Sequence, residues 1–155
     1  MSFTKSRYNS RLVVMPTKHD KAKLVTQYFA DILTMRVQEV LVDTDVFGTF
    51  TGEIERVGTP LETAVKKARA GIETTGNPFA IASEGSVGPD PIFGLINANI
   101  ETMVFVDDEL DIQVHETLKS NEITAFTTTT LKMDLGVFLK KADSPNHALI
   151  VKPHH

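Results

Sequence analysis

The sequence predicts an α/β fold, a mixed and partly parallel sheet with flanking helices, as a single domain over residues 11–153 behind a flexible N-terminus at 1–10. Three observations carry this. An apolar strand-type run, "RLVVMP" (11–16), leads into a helical pattern; a strongly capped helix at 60–75 is followed by another strand-type run; and two β-rich runs at 101–117 nearly touch. The first two are βα units, which build parallel pairs, and the third reads as an antiparallel hairpin.

In order along the chain, Arg11 to Pro16 is a buried first strand ended by proline. Residues 18–33 place Leu24, Val25, Tyr28, Phe29 and Ile32 at helical spacing, which predicts an amphipathic helix packed on that strand. "RVQEVLVD" (36–43) is a second strand. "TDVFGTFTGEIERVG" (44–58) mixes three glycines with β-formers and reads as a hairpin or a functional loop. Thr59 is then an N-cap, Pro60 suits the first helical position and Glu62 completes a capping box. Leu61, Ala64, Val65, Ala68 and Ile72 form the apolar stripe of that helix, and Gly76 closes it. "PFAIA" (78–82) is a strand, and "ASEGSVGPDP" (82–91) reads as the polar loop after it. Strands at 101–108 and 110–117, a helix at 131–142 and a last strand "HALIVKP" (147–153) complete the set.

Composition narrows the function. A chain of 155 residues with net charge −4 and interleaved basic and acidic residues is no dedicated binder of a DNA or RNA backbone, while a small anionic ligand remains compatible. The absence of cysteine excludes disulfides, thiolate metal sites and thiol catalysis. No apolar run approaches the roughly 18 residues of a membrane span, and "MSFTKSRYNS" has no signal-peptide core, so the expectation is a cytoplasmic protein.

Candidate chemistry concentrates in four places. The turn "PTKHDKAK" (16–23) opens onto a helix, where Thr17, Lys18, His19 and Lys21 suit a bound phosphate, although the glycine fingerprints of nucleotide loops are missing. Glu62 either caps its helix or faces a cleft with Arg69, about 20° away on the helical wheel; Lys67 lies about 140° from Glu62 and is hard to place in the same pocket. Arg69 has a surface alternative in Glu73 at i,i+4. Glu62, Glu84, Asp43 and Asp45 supply the carboxylate oxygens that Mg²⁺ prefers, whereas Asp107 and Asp108 read better as turn formers. Finally, "FGTFTGE" (47–53) offers glycines for close approach and phenylalanines on which a base can stack, as would an ordinary glycine hairpin.

The blocks "DTDVFGTFTGEIERVGTPLETAVKKARAGIETTG", "IASEGSVGPDP" and "ETMVFVDDE" together resemble an uncharacterised bacterial family, a domain of unknown function. Longer members carry a C-terminal zinc-ribbon-like segment that is not in this sequence, which implies a short member or part of a longer chain. More distantly, Glu62, Ala64, Lys67, Ala68, Arg69, Thr75, Gly76 and Gly85 are similar to the helix and acidic loop of the inosine triphosphate pyrophosphatase family. That resemblance implies a related architecture, Mg²⁺ held by Glu62 and Glu84, a nucleotide substrate and a homodimer. The first turn departs from that family's S-x-N-x-x-K pattern, and Ser83 stands where its first loop acid would be. The expected function is a Mg²⁺-dependent nucleotide-phosphate hydrolase, with Glu84, Glu62 and Arg69 catalytic, or a degenerate nucleotide-binding relative. The alternative is a non-enzymatic binding or assembly module.

Overall fold

Apolar runs such as "VVM" and "FAIA" carry no polar alternation, so both faces of their strands must be covered. In the computed structural model, which describes residues 6–18, 21–49, 54–89, 97–120 and 134–144, they are the central strands of a five-stranded sheet. The elements run β1 (Leu12–Pro16), α1 (Ala22–Tyr28, extended by a π-helical turn at Phe29–Leu33), β2 (Arg36–Val40), a 3₁₀ turn (Thr44–Phe47), α2 (Pro60–Thr75), β3 (Phe79–Pro89), β4 (Asn97–Asp107), β5 (Ile112–Ser120) and α3 (Gly136–Lys141). Strand order is β2-β1-β3-β4-β5. The fold is therefore α/β with a mixed, partly parallel sheet and flanking helices.

β1 pairs in parallel with both β2 and β3, with Val14 opposite Gln38 on one side and Ala80 on the other. The connections from β3 to β4 (90–96) and from β4 to β5 (108–111) are too short for parallel crossovers, so these pairs are antiparallel. Side-chain alternation sends the two crossover helices to opposite faces. Val13, Met15, Phe79 and Ile81 meet Ala22 and Val25 of α1 on one face, where Tyr8, Phe29 and Phe105 join them. Val14, Ala80, Ala82, Val104 and Val106 meet Ala64 and Ala68 of α2 on the other. The second face is built from small residues, and α2 lies close enough that a Cβ on Gly71 would come within 3.0 Å of Pro16.

The helix at 60–75 forms as the sequence predicts. Thr59 Oγ1 accepts from Glu62 N at 3.2 Å, Glu62 Oε2 accepts from Thr59 N at 2.7 Å, and Gly76 ends the helix at φ 69°. The first helix differs from the prediction. Leu24, Tyr28 and Ile32 are exposed, while Ala22 and Val25 are buried, so α1 meets the sheet on a neighbouring stripe. The spacing alone could not distinguish two apolar stripes on one helix. "ASEGSVGP" is also not a loop: β3 runs through it to Pro89 because β4 supplies backbone partners, and Gly85 leaves room for Glu101, whose Oε2 would lie 2.6 Å from a Cβ there.

Residues 7–10 form turns that seat Tyr8 edge-on against Phe79 and Phe105, ring centroids 5.8 and 5.6 Å apart. The Tyr8 hydroxyl donates to buried Asp107 at 3.1 Å. Burial, and then the Asp107 carboxylate, raise the Tyr8 pKa and keep the phenol protonated. Asp107 also accepts from the backbone N–H groups of Glu109 and Leu110, the turn-forming role read from the sequence.

The chain divides into two compact units, one of residues 1–86 and 100–119, the other of 87–99 and 120–155. The described helix of the second unit, α3, starts where Asp134 accepts from Gly136 N at 2.8 Å. The predicted last strand at 147–153 lies outside the described residues. Among the described residues no helix is long and apolar enough to cross a membrane.

Candidate functional site

Strand order decides where a ligand fits. From β1 the chain crosses through α1 to β2 on one side, then through α2 past β1 to β3 on the other, so the crossovers diverge between β1 and β3. The crevice at the carboxyl ends of two such strands is the usual ligand position in open α/β sheets. A cleft of about 40 Å³ lies there, lined by Met15, Pro16, Thr17, Lys21, Thr44, Lys67 and Ser83. That is room for a water or two, or for one small oxyanion group. Its floor is the apolar end of β1, and its polar lining is two ammonium groups and three hydroxyls. Thr17 and Thr44 are buried, at 6% and 5% exposure.

The cleft is backed by a buried charge cluster. Glu84, on β3, is 6% exposed. Its Oε1 accepts from Arg56 Nη2 at 2.5 Å and its Oε2 from Lys67 Nζ at 2.5 Å. Arg56 Nη2 also donates to the Gly85 carbonyl at 2.7 Å. On the other wall Lys21 Nζ donates to Ser83 Oγ at 3.3 Å and stands 3.6 Å from Glu101. Local geometry brings Arg56 in: Gly48 sits at φ 121°, and a Cβ there would lie 2.8 Å from Arg56 Cα, so the backbone at Gly48 and at Arg56 is in close contact.

The residues predicted from the sequence divide into several groups. Thr17 and Lys21 line the cleft, and Glu84 holds the lysine that lines it. Lys18 lies outside that lining and bridges Asp43 at 2.6 Å and Asp45 at 2.8 Å. Hydrogen bonds to Asp43 and then Asp45 raise its pKa, and the Lys18 hydrogen bond lowers that of Asp43. Glu62 spends its carboxylate on the capping box, and the Thr59 N–H lowers its pKa. Arg69 pairs with Asp108, and among the described residues no ion pair joins it to Glu62 or Glu73. His19 lies outside the described residues. The four carboxylates named as Mg²⁺ ligands thus each serve another partner, and among the described residues no group of three or more histidine, aspartate or glutamate side chains is placed to hold a metal.

Lys67 stands apart from Glu62, as their angle on the helix predicts: it lines the cleft and bonds Glu84, following buried Thr63 and preceding buried Gly71 on the face of α2 turned to β1. Arg56 and Thr44 were not anticipated. The available signal for Arg56 was indirect: a carboxylate leaving a buried strand demands a cation, and Arg56 stands in the glycine-rich segment just before the cap of α2.

No curated protein matches this chain. A family model, described as a domain of unknown function (DUF6671), matches residues 67–155. The match takes in Lys67, Ser83 and Glu84 and covers more than half of the sequence, so the chain belongs to that family of uncharacterised domains.

Proposed function

We propose that the cleft between β1 and β3 binds the phosphate group of a small anionic metabolite, with a nucleotide as the leading class. The observation that carries this is the convergence of Lys21, Lys67, Thr17, Thr44 and Ser83 on the strand-order switch. Ammonium groups supply charge and hydroxyls supply short donors, the pair of features that oxyanion recognition uses. The charges favour an anion as well, since among the described residues Lys21, Arg56 and Lys67 face the carboxylates Glu84 and Glu101 and leave one cation in surplus. Of the residues that carry the resemblance to the inosine triphosphate pyrophosphatase family, Lys67 is the one in the lining.

A hydrolase asks more of these residues than binding does. Glu84 would have to release Arg56 and Lys67 to serve a metal, so the reading that makes least demand is a nucleotide-binding relative without required turnover. The test is calorimetric titration of the chain with orthophosphate, AMP and ATP, with and without Mg²⁺, beside phosphate release from a panel of nucleoside triphosphates. The expected result is saturable binding that Lys67→Gln and Lys21→Gln each weaken at least about tenfold, a loss of roughly 1.4 kcal/mol. Equal binding by wild type and both variants would exclude the cleft. Mg²⁺-dependent phosphate release that Glu84→Gln abolishes would establish the enzymatic form.

A further inference from the structure

We infer that Arg56 is a positioning residue for this site: it holds the charge of Glu84 so that Lys67 can turn from Glu84 to a bound phosphate. The inference rests on the reading of the cleft as a phosphate site. Lys67 lines the cleft and Arg56 does not, yet both bond the same carboxylate, one on each oxygen. If Lys67 were the sole partner of Glu84, its turning to a ligand would strand a buried carboxylate, and the anion would have to compete against that loss. With Arg56 in place the carboxylate stays paired.

Two further observations fit that division of labour. Arg56 is tied to the Gly85 carbonyl as well as to Glu84, so it stays on β3 when Lys67 moves. Its Nε is buried and lacks a hydrogen-bond partner among the described residues. Nε and Nη2 are the two donors of the side-on fork by which arginine takes both oxygens of a carboxylate. With Lys67 on Glu84, only Nη2 is engaged there; once Lys67 leaves, Nε is free to take the vacated oxygen. The ligand class this serves is a phosphate monoester or other tetrahedral oxyanion, which takes Lys67 as its own counter-charge.

The experiment is a double-mutant cycle on affinity, using whichever of orthophosphate, AMP and ATP binds the wild type most tightly. Arg56→Gln is expected to weaken binding at least tenfold although it leaves the lining intact, because Glu84 then retains Lys67. Arg56→Gln with Glu84→Gln is expected to restore affinity to within about threefold of wild type, since nothing then competes for Lys67. Lys67→Gln should bind poorly in every background. Lys66→Gln, an exposed change of the same charge on the next residue, controls for net charge and should stay within threefold. Circular dichroism melts confirm that each variant is folded at the titration temperature. Wild-type affinity in Arg56→Gln, no restoration in the double variant, or an equal loss in Lys66→Gln would overturn the inference and leave the phosphate site standing. Binding insensitive to Lys67→Gln would overturn the site itself.

Discussion

Two three-charge clusters among the described residues have opposite composition. At the end of β1, one lysine, Lys18, serves two carboxylates, Asp43 and Asp45, on a surface where the Asp43 side chain is 65% exposed. Behind the cleft one carboxylate, Glu84, serves two cations, and its side chain is 7% exposed. Bond lengths in the two are alike, so distance does not separate them. Solvent does: water screens the first set and competes for each of its members, whereas in the second it scarcely reaches the shared carboxylate. Burial makes the choice of partner consequential, and that is why the proposed ligand site is placed at the Glu84 cluster, while the Lys18 cluster tethers a turn.

The sharpest way to break this comparison is to remove the single carboxylate. Glu84→Ala leaves Arg56 and Lys67 facing each other without a counter-charge, and is expected to destabilise the fold by about 3–5 kcal/mol in chemical denaturation. Glu84→Gln keeps the shape and some hydrogen bonds and should lose less, about 1–3 kcal/mol. Loss of less than 1 kcal/mol in the alanine variant would show that water already reaches the cluster. Next comes Gly48→Ala, which forces a side chain onto a backbone at φ 121° and against Arg56 Cα; a cost of about 1–3 kcal/mol is expected, with weaker phosphate binding because Arg56 is displaced. Unchanged affinity in that variant would separate the Gly48–Arg56 contact from the site.

Smaller effects belong to the helix cap. Thr59→Ala should cost about 1 kcal/mol, as loss of an N-cap oxygen does. The partner half of the same box is pH-dependent. Because the folded Glu62 carboxyl is depressed below its unfolded value, its stabilisation is present above the ordinary glutamate range and lost as pH falls through the lowered folded value. The difference between wild type and Glu62→Gln in thermal melts should therefore vanish in acid.

The smallest effect is expected at the exposed cluster. Asp43→Asn should leave the denaturation midpoint unresolved from wild type, and more so in high salt. The signs define its window: depressed Asp43 loses its contribution as pH falls below the ordinary aspartate range, and raised Lys18 loses its own as pH climbs through its elevated folded value. A large midpoint shift for Asp43→Asn at neutral pH would erase the distinction between the two clusters.

What was legible follows from how local each signal is. The cap of α2 was readable because Thr59, Pro60, Glu62 and Gly76 act within a few residues of one another. Thr17 and Lys21, which line the cleft, were readable as neighbours because a turn after a buried strand has few places to go. Leu24, Tyr28 and Ile32 misled because a helix with more apolar residues than one face needs does not state which face it buries. Glu84 drew attention as a carboxylate beside glycine, but its partners lie 28 and 17 residues away in sequence, and no local pattern names them.

By itself, then, the sequence determined the α/β class, the order of βα units and the cap of its main helix, because periodicity, propensity and capping act over one or two turns of chain. Tertiary structure decided that β1 lies between β2 and β3, so that Lys21, Lys67, Thr44 and Ser83 meet at one crevice. It also decided that Glu84 is buried and paired with two cations, Arg56 and Lys67. The physical reason is that desolvation depends on everything packed around a group, and that environment exists only once distant segments have been brought together.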